Sequence, residues 1–465
     1  MVFLPERGES DVVQKKDDNS SGVPLPGKWK LSLTEVFQSK LARDGVWSIG
    51  LKIASVFLAF LLSVILARYL GPEGYGVYSF AYAMMMILAI PSMSGMPALM
   101  VRETARLRAN GNCGAVTSAW RWGIKVSICV SIVIIFIFYL AVSIWDTIFL
   151  NEVKIAVYWG ILTIPLLALM HITGAVIRGM GGVVKGQMPD MIVRPGMLII
   201  TVVGAIILNF EARSYNVMQM HAVSVFVAAG LAYIMLKDML VSKARIIIDP
   251  LIRRQWLKSL LPLGLIASMG IVMQYIDLIM IGTLVNNYDV GIYRVSVQLA
   301  MLASFGLQAV NMAFAPYYAR YYEKKEFSQI RYVAVLSARF VFVLNIVVVA
   351  LYFAWGKQII EIIYGSEYIQ AYGPLMLLLI GQGANAFFGS VGNVLNMSGR
   401  EMYTLRGMLV GVIVNVVLNV LLITRMGVLG AAVASVTAML LWNYIMWKYV
   451  LLELGINVSV IGKIK

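Results

Sequence analysis

The sequence predicts an all-α, polytopic membrane protein of about twelve transmembrane helices in two six-helix lobes. Three observations predict it. Of 465 residues, 60% are hydrophobic and 13% charged, with a mean hydropathy of +0.82; a soluble domain runs at about 45–50% apolar and about 25% charged. Apolar runs recur along the chain between short polar breaks, and a bilayer needs about 20 residues per span. Basic residues alternate from one set of connections to the other, as the positive-inside rule requires. This composition excludes a water-soluble enzyme, a disordered chain and a fibrous repeat. The formal charge of +15 reads as cytoplasmic loops and not as a nucleic-acid surface.

Residues 1–30 are polar and carry Pro5, Pro24 and Pro26 without an apolar core or a cleavage signal, so they read as a tail. Residues 31–44 gather Leu33, Val36, Phe37 and Leu41 near one helical face, which suits a helix lying on the membrane surface. Spans are expected near 46–67, 76–98, 117–141, 155–177, 191–210, 217–236, 258–282, 291–315, 332–354, 372–395, 404–423 and 428–448. With the N-terminus and the even-numbered connections on one side, that side holds 29 Lys and Arg, Arg178, Lys185 and Arg194 among them, against 5 on the other. Both termini are therefore expected in the cytoplasm.

The longest basic connection follows the sixth span. It divides the chain into a tail and surface helix (1–45), a first lobe (46–236), a linker (237–257), a second lobe (258–448) and a C-terminal tail (449–465). An internal echo supports the division. Gly76-Val77-Tyr78 opens the second span and Gly291-Ile292-Tyr293 the eighth, while Arg178-Gly179-Met180-Gly181 and Asn396-Met397-Ser398-Gly399 follow the fourth and tenth. Secondary transporters repeat their halves in this way and bind substrate between them.

Enzymatic readings find little support. His171 and His221 stand singly within spans, Cys113 and Cys129 are too few for a cysteine-built metal site, and no phosphate-binding loop occurs. Hence no catalytic residue, metal or cofactor is expected. The expected loops on the outer side are also too short to house a catalytic domain. The sign of charge within the spans is more informative. Lys52, Lys125, Arg294 and Arg339 are basic, and Asp277 is the one acid well inside a span. A net cationic interior favours an anionic substrate. Lys125 and Arg339 lie near enough to span ends to snorkel; Lys52 and Arg294 fit snorkelling and an interior site equally.

Helical spacing places Lys52 with Ser48, Ser55 and Ala59 on one face, and Gln274 with Asp277 on another. Arg294, Gln298, Met301, Phe305 and Gln308 form a stripe along the eighth span, and Gln382, Asn385, Gly389 and Asn393 one along the tenth. Asn415 and Asn419 share a face of the eleventh. Polar stripes in lipid turn inward, to line a cavity or to join helices. The candidate substrate-binding residues are thus Lys52, Arg294, Gln298 and Gln308, with Tyr78 and Tyr82 fitting either sugar stacking or an interfacial belt. Asp277, with Gln274, is the candidate coupling or charge partner, and Arg294 or Lys52 its expected counter-ion.

Three segments, ARYLGPEGYGVYSFAY at 67–82, NVLNMSGRE at 393–401 and GVIVNVVLNVLLITRMGVLGAAVAS at 411–435, resemble the polysaccharide transporter (Wzx-like, O-antigen flippase) branch of the multidrug/oligosaccharidyl-lipid/polysaccharide exporter superfamily. The resemblance runs from about residue 40 to 450. It implies a MATE-like, two-lobed bundle in the inner membrane around a cationic cavity lined by the first, second, seventh and eighth spans. It further implies alternating-access flipping of a polyprenyl-diphosphate-linked oligosaccharide, with membrane lipids and polysaccharide polymerases or glycosyltransferases as partners. The rival readings are a multidrug or cation antiporter of the same superfamily, a membrane polymerase or ligase, and a scaffold for assembly enzymes.

Overall fold

The computed structural model describes residues 40–93, 95–144, 151–240 and 249–463. The expected tail, most of the expected surface helix and the middle of the expected linker lie outside these. The chain forms two compact units, 1–45 and 46–465; of the first, Lys40–Gly45 is described and is helical.

The second unit is built from helices, with no strand among the described residues. Helix α1 (Lys40–Leu88) carries the first two spans, broken at Gly71, whose φ of 68° and ψ of 177° interrupt the helix just before Pro72. Only glycine takes that conformation cheaply. The second span continues through α2 (Ile90–Met93) and α3 (Met96–Ala109). Helix α4 (Cys113–Ile144) is the third, and α5 (Asn151–Leu162) with α6 (Ile164–Gly179) the fourth. The fifth runs from α7 (Val183–Met188) through a π-turn (Pro189–Val193) into α8 (Arg194–Ile207), and α9 (Ser214–Met239) is the sixth.

The seventh to ninth spans are α10 (Pro250–Leu284), α11 (Asn287–Glu323) and α12 (Phe327–Tyr364). A 3₁₀ turn (Ser366–Ala371), α13 (Tyr372–Phe388) and α14 (Val391–Met397) make the tenth, bent by 44°. Helices α15 (Glu401–Met426) and α16 (Val428–Leu454) complete the set. Among the described residues, each expected span lies mainly on helix. The outward faces carry bare apolar side chains, with Phe353 74% and Ile207 71% exposed, as lipid contact requires.

Packing follows the two halves. Helix α9 packs on α5, α6 and α8, and α6 on α3 and α4; in the second half α16 packs on α13 and α15, and α10 on α15. The sequence echo has a structural meaning. A Cβ on Gly76 would overlap the Asn287 carbonyl oxygen, and one on Gly291 would overlap that of Pro72. The second and eighth spans therefore cross backbone to backbone, each glycine admitting the other helix. The second echo is a shared helix terminator. Gly182 N–H bonds the Ile177 carbonyl and Arg400 N–H that of Leu395, both at 2.9 Å, around Gly181 and Gly399 with φ of 89° and 70°.

Three boundaries differ from expectation. The fifth helix starts at Val183, eight residues before the apolar run at Met191, so Asp190 and Arg194 lie within it and not in a loop. The expected linker is helical up to Met239 and again from Pro250. The C-terminal tail is not free: α16 runs on to Leu454, and residues 455–463 fold back with Val458 and Ser459 fully buried. Arg339 donates from Nε to the Val460 carbonyl and from Nη2 to the Gly462 carbonyl, each at 3.0 Å. It thereby holds the tail in place.

Candidate functional site

Between the halves lies a groove of about 140 Å³, lined by Ser55 to Leu66 of the first span, Tyr75 to Tyr82 of the second, Asp190 to Leu198 of the fifth, His221, and Arg294 and Gln298 of the eighth. The π-turn at Pro189–Val193 positions its most polar group. An extra residue per turn of this kind is rare and concentrates at functional sites. Asp190 pairs with Arg194, from Nη2 at 2.9 Å and Nε at 3.0 Å, and Arg194 Nη1 donates to the Tyr82 hydroxyl at 3.2 Å. Arg194 therefore bridges the fifth span to the second.

Aromatic groups form the wall beside it. Tyr78 and Tyr82 stack at 6.1 Å between ring centroids, and His221 meets the Tyr82 ring edge-on at 5.3 Å. The Tyr78 hydroxyl lies 3.3 Å from His221 Nδ1. Tyr275 of the seventh span reaches Tyr82 across the halves, ring to ring at 5.8 Å. Arg294 enters from the second half. Its Nη1 is buried without a hydrogen-bond partner, a state that costs a few kcal/mol unless something fills the role. Two bases thus face one groove that holds a single carboxylate, itself already paired.

The expected residues divide among three places. Arg294, Gln298, Tyr78 and Tyr82 share the groove. Gln274, Asp277 and Gln308 line a second chamber of about 440 Å³ within the second half. Lys52 lies one turn before Ser55, half-buried, and lines neither. Asp277 has neither Arg294 nor Lys52 as its partner. Its carboxylate accepts from Tyr293 at 2.7 Å, Asn419 at 2.7 Å, Asn415 at 3.1 Å and Ser435. Four neutral donors from three other helices supply what a counter-ion was expected to supply.

Sequence reasoning missed Arg194, Asp190 and His221. The signal was available: Asp190 and Arg194 stand four apart between Pro189 and Pro195, an ion-pair spacing on a helix. His171, which stands singly within its span, lines a cavity of about 40 Å³ with Arg178, Gly186 and Asp190.

Comparison with known proteins adds a frame. A family model described as polysaccharide biosynthesis protein matches residues 41–322, and one described as MatE matches residues 262–421. No curated protein sequence matches the chain. Among solved structures, an inward-facing multidrug resistance MATE family transporter of the MOP superfamily superposes with a TM-score of 0.69 at 15% identity, covering 86% of this chain and 94% of that one. The lipid II flippase MurJ in an inward closed conformation gives 0.69 at 12%, covering 87% of both chains. A MOP superfamily transporter from Pyrococcus furiosus, whose description reports a binding pocket of reverse polarity, gives 0.61 at 15%, covering 90% and 97%. At these identities the likeness shows a common fold.

Proposed function

The chain belongs to the polysaccharide biosynthesis protein family, and we propose that it translocates a polyprenyl-diphosphate-linked oligosaccharide across the cytoplasmic membrane by alternating access. One observation carries the reading: Arg194 and Arg294, contributed by opposite halves, line one groove whose single carboxylate is taken up by Arg194. Two guanidinium groups offer paired N–H donors to phosphate oxygens. The net positive charge of the groove disfavours cationic drugs. The stacked Tyr78 and Tyr82 offer an apolar face next to the arginines, and the polyprenyl tail stays in lipid.

Because the groove walls come from both halves, relative movement of the halves would move the diphosphate from one side of the membrane to the other. Asp277, which ties the seventh span to the eighth, eleventh and twelfth, is the carboxylate through which an ion gradient would act. The termini are placed in the cytoplasm by the charge bias. A cation antiporter is the second reading, favoured by the MatE match over 262–421.

The test is transport of a fluorescent polyprenyl-diphosphate-linked sugar in proteoliposomes. Arg294→Ala and Arg194→Ala are expected to abolish it at unchanged protein level. Normal transport in both variants would remove the groove from the pathway, and resistance to cationic drugs conferred on an exporter-deficient strain would favour the antiporter.

A further inference from the structure

The larger chamber differs in chemistry from the arginine groove. Among the described residues no Lys, Arg, His or Glu lines it. Its one carboxylate, Asp277, is occupied by four neutral donors. What projects into it instead is a set of primary amides, Gln274, Gln308, Gln382, Asn385 and Asn393, set among methionines and Trp442. Each amide offers two N–H donors and one carbonyl acceptor. Gln274, Gln382 and Asn385 make no side-chain hydrogen bond within the described chain. That leaves their full capacity open to a guest.

Structural glue would look different. Asn415 and Asn419 are also amides in the second half, but they are buried and spent on Asp277 and on each other. Of their chamber-facing counterparts, Gln308 donates once to Ser304 and Asn393 once to the Asn311 carbonyl, while Gln274, Gln382 and Asn385 are unspent. Vicinal hydroxyls, each both donor and acceptor, match unspent amides, and the C–H faces of a pyranose match methionine and tryptophan.

The two compartments share a wall. Helix α11 gives Arg294 and Gln298 to the groove and Val297, Met301, Ser304 and Gln308 to the chamber. From Arg294 to Gln308 it rises roughly 21 Å, so the two compartments follow one another along a single helix. Resting on the lipid-linked glycan reading, we propose that the amide-lined chamber is a sugar subsite for uncharged residues, distinct from the arginine groove that takes the diphosphate. The chamber selects hexose-type or N-acetylated sugars and disfavours uronate-type sugars, for which it has no cation.

The test is binding of three synthetic probes to the full chain in nanodiscs: bare polyprenyl diphosphate, the same lipid bearing a neutral trisaccharide, and the same lipid bearing a uronate trisaccharide. The neutral head group is expected to tighten binding at least about tenfold over the bare lipid, and the uronate one is not. Gln382→Leu with Asn385→Leu should erase that increment and leave the bare lipid's affinity unchanged. Gln274→Ala, on a different helix, should reduce it and guards against a folding defect in the double variant. Normal binding of the bare lipid with no sugar increment, or an increment equal for the uronate head or retained in the variants, would overturn the subsite and spare the diphosphate reading. Failure of the bare lipid to bind would overturn both.

Discussion

Arg194 shows how a partly buried charge is made tolerable and useful at once. Asp190, one turn earlier, neutralises it, and Tyr82 accepts its third N–H. A hydrogen bond to a charged group is worth about 1.5–3 kcal/mol, roughly 10–100-fold in affinity. Arg194→Ala is therefore expected to weaken polyprenyl-diphosphate binding by that factor, and Arg194→Lys to restore it only in part, because an ammonium keeps the charge without the fork. Asp277 makes a different prediction, about stability. Asp277→Leu leaves Tyr293 and Ser435 without this acceptor, at about 1–3 kcal/mol per orphaned group, and leaves Asn415 and Asn419 only their bonds to Ser435 and Asn415. Its melting temperature should fall well below that of Asp277→Asn, which keeps one acceptor. Equal melting of the two would mean that the cluster relaxes on its own. Arg294 and Gln298 were legible in the sequence because a polar stripe at helical spacing inside an apolar run has few homes. Arg194 was not, because it stands at the start of the expected span and counts with the cytoplasmic bases, while its partner Asp190 precedes the apolar run at Met191 although the helix begins at Val183. Hydropathy marks where lipid begins, not where backbone hydrogen bonding does.

Among elements, the crossing of the second and eighth spans is the most constrained contact. Gly76 and Gly291 each admit the backbone of the other helix, so Gly76→Leu or Gly291→Leu must force the spans apart. Either variant is expected to expose the groove to thiol reagents at a cysteine placed at Ser63, in a chain with Cys113 and Cys129 replaced. This contact was legible as a repeated Gly-x-Tyr triplet, although the triplet does not say that its two copies touch. The folded-back tail was illegible: residues 455–463 are short and only partly apolar, and what fixes them is Arg339 from a distant helix. The end of the last helix carries a pH-dependent clamp. Tyr403 donates to Glu453 at 2.7 Å and Arg400 at 3.2 Å, and these bonds hold the Glu453 carboxyl below its ordinary value of 4.5. A group whose folded value is lowered contributes stability above its unfolded value and loses it as pH falls through the folded one. The melting gap between wild type and Glu453→Gln should therefore be constant above about pH 5 and close as the pH drops below 4.5. A gap that persists in acid would assign the contribution to packing.

At the scale of the whole molecule, the halves are tied at both ends: at one, Gly95 meets the Leu260 carbonyl and Trp122 packs on Trp256; at the other, the ties are mostly polar. Arg68, at the close of the first span, donates from Nε to the Ile363 carbonyl at 2.8 Å and from Nη2 to that of Ile362. The Tyr368 hydroxyl donates to the Ala67 carbonyl at 2.9 Å, and Ser63 lies 3.2 Å from the Tyr364 hydroxyl. The Gly76–Gly291 crossing lies in the same region. With the termini in the cytoplasm as proposed, this end faces outward and its contacts close the groove toward the outside. Closure of this kind rests on a few polar contacts to backbone carbonyls, each worth about 0.5–1.5 kcal/mol, or somewhat more where a guanidinium donates. That scale suits a barrier that must open once per cycle, because populations shift severalfold for about 1 kcal/mol. Removing both Arg68 bonds by Arg68→Ala should therefore shift the molecule toward an outward-open state without unfolding it. Labelling from outside at a cysteine replacing Ser63 should rise several-fold, while the melting temperature stays close to that of the parent. Tyr368→Phe removes one bond and should move labelling in the same direction by less. If labelling is unchanged in both variants, the outer closure is held by helix packing at Gly76 and Gly291, and the polar contacts merely follow it.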